Sequence, residues 1–466
     1  MAVRNRQLSS IFGVDFHYPD NDNFTIWDAK QQEVRPACRV VPSTANDVAR
    51  IIDIVVKNWC RFAVKGGGHS RHPDDSNSVG GVTIDLVKIN SIEPAPDGQM
   101  ARVGGGATTG QVYTALAARN LSFVGGRVSS VGVGGFATGG GTSQFSNKYG
   151  WSLDNVIEHE VVLANGTIVT ASEHENPDLY FALRGGSNNF GIVTAFSVRT
   201  FSQGPVYSAS VAYSQNQTET VVDKVYDIYT REDLTKDLNL GLDLFHSYNP
   251  STDLFSTGTT QRYEQPLQDP PVFREINSIV PVSRNVRIDK LANLVSNPPL
   301  GVTRNLFQSI TVQPSRQFLS RALEIFREEV RAIRTVQGLV TNFILYPLHS
   351  NAISKMKERG GNALGINQDG SLFIIMISTG WANAEGDGPV GTMTTNVISR
   401  LKDVAVDLGV AHPYIYAGYA RSGQADEVFA GYGQENLKRL REIQESVDPH
   451  GIFTSQGLWR GHLKLH

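Results

Sequence analysis

No uninterrupted apolar run in these 466 residues approaches the ~18–20 needed to cross a bilayer, which excludes a helical membrane protein and predicts a soluble chain. Charge of one sign is equally scarce. The 42 basic residues against 45 acidic give a formal charge of -3, so a nucleic-acid binder resting on bulk positive charge is excluded. Only two cysteines occur, Cys38 and Cys60, too few for a disulfide-stapled mini-scaffold. Bracketing a strand-helix-strand passage, they are either a bridge or two buried thiols. The opening MAVRNRQLSSIFGVDF lacks an apolar h-region and does not read as a signal peptide, although a mature chain behind an added Met fits it as well. Four N-x-S/T sequons, at Asn23, Asn120, Asn165 and Asn216, tilt the expectation toward a secretory route, with a cytoplasmic one as the alternative. No metal site is expected.

Glycine is what the chain has in excess. Its 45 glycines exceed the usual ~7%, so many backbone sites must need positive φ or close approach to something. The length favours two or three domains, each large enough for its own core. Residues 36–200 alternate strand-like apolar runs, amphipathic helical patterns and glycine clusters, an α/β texture. A helix is predicted from Thr44 behind a Ser43/Thr44 cap, and a buried strand over Phe62-Ala-Val-Lys running into GGGHS. Strands are also predicted at Gly81–Leu86 and Val156–Leu163, and helices at Gly110–Ala118 and Asp178–Arg184. From about Tyr207 the runs lengthen: YSASVAYS, NLGLDLFHSY, LFSTGTTQRY, GLVTNFILYPLHS and SLFIIMISTGW read as an antiparallel sheet. A helix carrying Phe318, Ala322, Ile325, Phe326, Val330 and Ile333 on one face interleaves with it, and a charged helix runs over Glu435–Val447. A boundary therefore falls near residue 200.

Three glycine segments stand out: Gly66-Gly67-Gly68-His69-Ser70, the stretch from Gly125 to Gly141, and Gly185-Gly186-Ser-Asn-Asn-Phe-Gly191. Successive unobstructed amides form a concave donor surface for phosphate oxygens, whereas a single cluster is more often a tight turn. Three clusters in one half favour the phosphate reading. Gly132-Val-Gly134-Gly-Phe-Ala137 formally fits a dinucleotide fingerprint, with Asp154 at about the expected spacing. It reads as a decoy, because no long strand precedes it and it runs on into a further glycine triplet.

Together these motifs resemble the berberine-bridge-enzyme-like branch of the vanillyl-alcohol-oxidase superfamily of FAD-linked oxidases. The matching pieces are PAC at 36–38, CRFAVKGGGHS at 60–70, GGVTIDL at 80–86, GGRVSSVGVGGFATGGG at 125–141, NKYGWSLDNV at 147–156 and GGSNNFGIVT at 185–194. GGNALGI at 360–366, YGQENLKRL at 432–440 and DPHGIF at 448–453 continue the match across nearly the whole chain. The resemblance implies an α+β fold: a PCMH-type FAD-binding domain of two α/β subdomains over 1–200, a substrate domain with a large antiparallel sheet flanked by helices over 201–410, and a segment over 411–466 returning to the first domain. It implies FAD as cofactor. Gly66, Gly67, Gly68 and Ser70 would cradle the pyrophosphate. Val131, Gly132, Gly134, Gly135, Gly139, Gly140, Gly141 and Ser143 would form the second wall, and Asp154, Val156, Gly191 and Val193 the adenine and ribose side. Lys65 would be a nearby cation. His69 would bond covalently to the flavin 8α carbon, and Val128 stands where relatives place a second, cysteine link. The cysteine pair is often bridged in secreted fungal members, which implies a Cys38–Cys60 disulfide.

The implied chemistry is hydride transfer from an alcohol or amine carbon to flavin N5, with O2 reduced to H2O2 and Val131 guarding oxygen access. A base must reach the heteroatom proton. His246, Tyr346, His349, Tyr414, Tyr416 and Tyr419 are candidates, with Tyr416 and Tyr346 foremost because neighbouring donors can hold a phenol at lowered pKa. Oligosaccharide oxidation and a non-redox cyclisation on the same fold are the alternatives. The partners implied are a small molecule and O2, with no nucleic acid and no membrane, and the oligomeric state is open.

Overall fold

A computed structural model describes residues 2–465. The first sheet is mostly parallel. Strands Cys38–Val40 and Phe62–Lys65 flank Val82–Asp85, with Phe16–His17 added antiparallel at the edge. The helix Ala45–Lys57 covers it because Val48, Ile51, Ile52 and Val55 fall at helical spacing on one buried stripe, and Thr44 with Asp47 closes its first turn as a capping box. A second, antiparallel five-stranded sheet takes Ile92–Pro94, Met100–Gly104, Ile192–Arg199, Val156–Val162 and Ile168–Ser172 in that spatial order.

The third assembly is an eight-stranded antiparallel sheet whose central strands are Leu240–Asn249, Val340–Leu348, Leu372–Trp381 and Arg304–Val312. Alternation decides what each face does. Leu242 and Leu244, Phe343 and Leu345, and Phe373, Ile375 and Ile377 point into a core under the helices Thr218–Thr230, Arg316–Arg331 and Asp387–Asp407. The intervening residues Asp243, Tyr346, Met376 and Phe307 therefore project from the opposite face. The last stretch pairs Ala411–His412 with the edge of this sheet, then sends Ile452, Phe453, Leu458 and Trp459 into the core of the first sheet.

The disulfide expectation is corrected: Cys38 and Cys60 are free thiols. Cys38 is buried on its strand with Sγ 3.7 Å from Asn5 Oδ1, and burial pushes that thiol up to about 11, while Cys60 Sγ turns to the Asn58 carbonyl at 3.3 Å. Among the described residues, no helix is long and apolar enough to cross a membrane.

Candidate cofactor and substrate site

Strand Phe62–Lys65 is buried along its length and delivers the Gly66–Ser70 loop against the second glycine segment. The two meet backbone to backbone: a Cβ on Gly67 would lie 2.3 Å from Gly132 N, and one on Gly132 2.3 Å from Gly67 N. No side chain fits at either position. The gap left beside this contact opens into a cavity of about 380 Å³. It is lined by Gly66, Gly67, Gly68, His69 and Ser70 from one side and by Val131, Gly132, Gly134, Gly135 and Gly139 from the other, with Gly191 and Val193 at one end.

Other residues singled out from the sequence lie outside that lining. Lys65 Nζ is tied to Asp85 Oδ1 at 3.0 Å and its stem packs beneath Gly68. Gly140 and Gly141 sit behind the Tyr416 ring, Gly141 N donating to its hydroxyl oxygen at 3.1 Å. Ser143 and Ser146 brace a tight turn. Asp154 is wholly buried, accepting from Trp151 N at 2.9 Å and Asn362 Nδ2 at 2.8 Å. Val156 packs into the core that also holds Phe196 and Leu291.

His69 lies in the cavity wall with Nε2 3.0 Å from Ser130 Oγ, its ring stacked on Trp27 at 4.0 Å and 14°. Burial, then the neighbouring Arg71 charge, push the imidazole down to about 3, so it is neutral throughout the physiological range.

The sheet supplies the facing wall. Tyr346 stacks on Tyr419 at 5.2 Å, and Tyr419 meets Tyr416 edge-on at 4.7 Å. Arg127 lies 5.0 Å over the Tyr346 ring and pairs twice with Asp243, at 2.7 and 3.1 Å, while its third nitrogen donates to Thr142 O and Oγ1. Phe307 and Met376 complete the wall. The expectation of lowered tyrosine pKa values is overturned. Burial, then Asp243, push the Tyr346 phenol up to about 12 against the pull of Arg127, and burial raises Tyr416 and Tyr419 further. His349 does not line this cavity: it borders a small adjoining crevice that shares Arg127 and Tyr346 with the wall, and caps the helix Ser350–Ser354, with burial pushing it down to about 4. His246 is bonded to Thr257 and Arg327 on the helix side of the sheet, and Tyr414 is packed against Trp151 and Tyr432.

Several wall residues escaped the sequence reading. Arg71 follows GGGHS directly and Arg127 sits inside the second glycine segment, so a cation next to a glycine loop was the available signal. Asp75, Asn188 and His462 come together from three distant segments: Asp75 Oδ1 accepts from His462 N at 3.0 Å and from Asn188 Nδ2 at 3.3 Å. Asn188 Oδ1 and His462 Nε2 are buried without a partner.

Residues 36–172 match the family described as an FAD binding domain. The FAD-dependent monooxygenase tpcD of Cochliobolus heterostrophus is 33% identical over 460 residues, spanning 94% of this chain and 88% of that protein. Among solved structures, 6-hydroxy-D-nicotine oxidase from Arthrobacter nicotinovorans superposes with a TM-score of 0.79 at 21% identity, covering 97% of each chain. A glucooligosaccharide oxidase from Acremonium strictum, carrying 6-S-cysteinyl, 8α-N1-histidyl FAD, superposes with a TM-score of 0.78 at 19% identity, covering 99% of each. At these identities the solved structures share the fold.

Proposed function

Because the chain belongs to the berberine-bridge-enzyme-like FAD-dependent oxidoreductases of the vanillyl-alcohol-oxidase superfamily, we propose that it oxidises an alcohol- or amine-bearing carbon of a small secondary metabolite and reduces O2 to H2O2. The observation carrying this reading is the convergence of a glycine cradle, a neutral histidine and a tyrosine wall on one cavity. We divide the chain into an FAD-binding domain over 1–200, a substrate domain over 201–410 and a returning segment over 411–466. When bound, FAD supplies the two-electron acceptor for the substrate carbon and hands the pair to O2.

The residues fit that group. Gly66, Gly67, Gly68, Gly132, Gly134 and Gly135 line the cavity without side chains, which leaves backbone accessible to phosphate oxygens. Asn188 Oδ1 and His462 Nε2, buried without partners in residues that line the cavity, are polar atoms that would help hold a bound dinucleotide. To His69, neutral and held by Trp27 and Ser130, we assign a single covalent link to the 8α carbon. Val128 offers no second one. Tyr346, Tyr416 and Tyr419 keep their protons at neutral pH. We assign the base to Tyr346, whose phenol burial and then Asp243 push up to about 12 against the pull of Arg127, so that the phenolate that accepts the proton is a minor form at neutral pH and activity rises with pH; the orientation of the substrate oxygen is assigned to Tyr416 and Tyr419. A wall of tyrosines with Phe307 and Met376 favours an aromatic or polyketide-like substrate over a sugar chain. The four sequon asparagines are all exposed, which supports a secretory route.

The test is anaerobic mixing with candidate alcohols and amines, then admission of air. The proposed oxidase bleaches its visible flavin band on mixing and releases one H2O2 per product. Product formed without bleaching contradicts net redox chemistry, and product labelled from 18O2 would make the enzyme a monooxygenase, as the Cochliobolus relative is called.

A further inference from the structure

Two arginines line the cavity, and they are compensated differently. Arg127 is matched by Asp243 in a two-pronged pair and held by Thr142. Arg71 is only 7% exposed, and no carboxylate pairs with it among the described residues. The carboxylates that act on it from a distance are engaged elsewhere: Asp28 accepts from the Asn305 backbone and side chain, and Asp75 from His462 and Asn188. One terminal nitrogen of Arg71 donates to the carbonyls of Gly418 at 3.1 Å and Ala420 at 3.4 Å, and its Nε has no partner. A buried guanidinium left like this is costly, because the charge has lost water without gaining a counterion. Burial accordingly pushes its pKa down to about 10.

The direction in which Arg71 points decides what could complete it. Its guanidinium lies 4.2 Å over the Phe307 ring, on the cavity face of the large sheet. Its carbonyl partners flank Tyr419, and the Tyr416 and Tyr419 phenols are among the groups that act on its charge. All of these belong to the substrate wall, none to the glycine loop contact between Gly67 and Gly132. The planar fork, backed by an aromatic ring and with its buried Nε unpartnered, matches two coplanar oxygens sharing one negative charge.

We propose that Arg71 is a specificity-determining residue that anchors a planar oxyanion of the substrate, a carboxylate or the enolate of a 1,3-dicarbonyl, against Phe307 and beside the tyrosines. This deepens the reading of the cavity as an oxidase substrate site and rests on it. It makes the substrate an acid carrying its oxidisable carbon within reach of Tyr346.

Binding to the FAD-loaded protein, read from the perturbation of its flavin absorbance, tests this without turnover. Benzoate is titrated against benzamide, and the enolate of cyclohexane-1,3-dione against cyclohexanone, so that the two arms identify which oxyanion is preferred. At least one anion should bind about ten-fold or more tightly than its neutral counterpart, and Arg71→Gln should erase that difference while keeping its flavin. Arg71→Met, which keeps the stem over Phe307, is read the same way if the glutamine variant does not fold. Equal binding of anion and neutral partner, an anion preference that survives both substitutions, or loss of FAD from the folded variants would each overturn the proposal. The two readings fail separately: flavin bleached by a neutral alcohol with no anion preference sinks the Arg71 anchor alone, and anion preference in a protein whose flavin no alcohol or amine reduces sinks the oxidase reading alone.

Discussion

On the glycine side of the cavity the decisive atoms are backbone: Gly67 and Gly132 approach so closely that a Cβ on either would sit 2.3 Å from the other's nitrogen. On the sheet side they are the ends of long side chains. Arg71, Arg127, Tyr346 and Tyr419 reach the same space from four separate segments, and Asp243 pairs with Arg127 from a fifth. A cradle made of backbone demands glycine at fixed local spacing, so it writes itself into the sequence as clusters. A wall made of side chains demands only that distant strands keep register, and it leaves no local mark.

If the glycine side is backbone-defined, Gly67→Val should do the greatest damage of any single change near the cavity. Its side chain would meet the Gly132 backbone and the Ser130 carbonyl, which cannot retreat as a flexible side chain would. Overpacking of about 1–3 kcal/mol is expected locally, with flavin content of the purified protein falling to a small fraction of normal. A full complement of flavin would show that the contact is not part of the cradle. The sheet side should behave oppositely: Tyr346→Phe is expected to retain its flavin and lose about 10²–10⁴ in kcat/KM. An unchanged kcat/KM would move the base elsewhere.

The next change separates charge from packing within the sheet wall. Asp243 raises the Tyr346 phenol, and Arg127 lowers it. Asp243→Asn removes the anion and leaves the cation, so the phenolate is stabilised and the alkaline rise of kcat/KM, expected to run toward about 12, should move to lower pH. Breaking the pair with Arg127 should also cost about 3–5 kcal/mol of stability, read by chemical denaturation. A rise that stays in place would remove Tyr346 as the titrating group. The smallest effect expected is at the seam of the two walls, where Val131 lines the cavity. Val131→Leu should slow reoxidation of the reduced enzyme several-fold with substrate reduction unchanged. Equal reoxidation rates would leave Val131 as packing alone.

The same contrast explains what the sequence allowed to be read. The strand Phe62–Lys65 and the helices Ala45–Lys57 and Gln434–Val447 lie where apolar spacing and caps put them. The strand Ser283–Asp289 was not anticipated, since its SRNVRID sequence is that of a charged, exposed sheet edge rather than an apolar alternation. Ile333 continues the apolar stripe of Arg316–Arg331 but lies beyond its last turn, buried all the same. Within the glycine segments, close spacing did not reveal which residues face the cavity: Gly134 and Gly135 do, whereas Gly140 and Gly141 support Tyr416 from behind. Lys65, adjacent to the loop, is turned away by Asp85, and Asp243 looked like one polar residue in an apolar strand.

The backbone cradle is expected to hold FAD where the neutral His69 ring can bond to it. The most direct measurement is the mass of the acid-denatured protein. The purified chain should carry the added mass of one FAD less two hydrogens, and His69→Ala should lose that increment while the folded variant still binds FAD reversibly. Flavin left free in solution after denaturing the unaltered protein, or an increment that survives in His69→Ala, would contradict it.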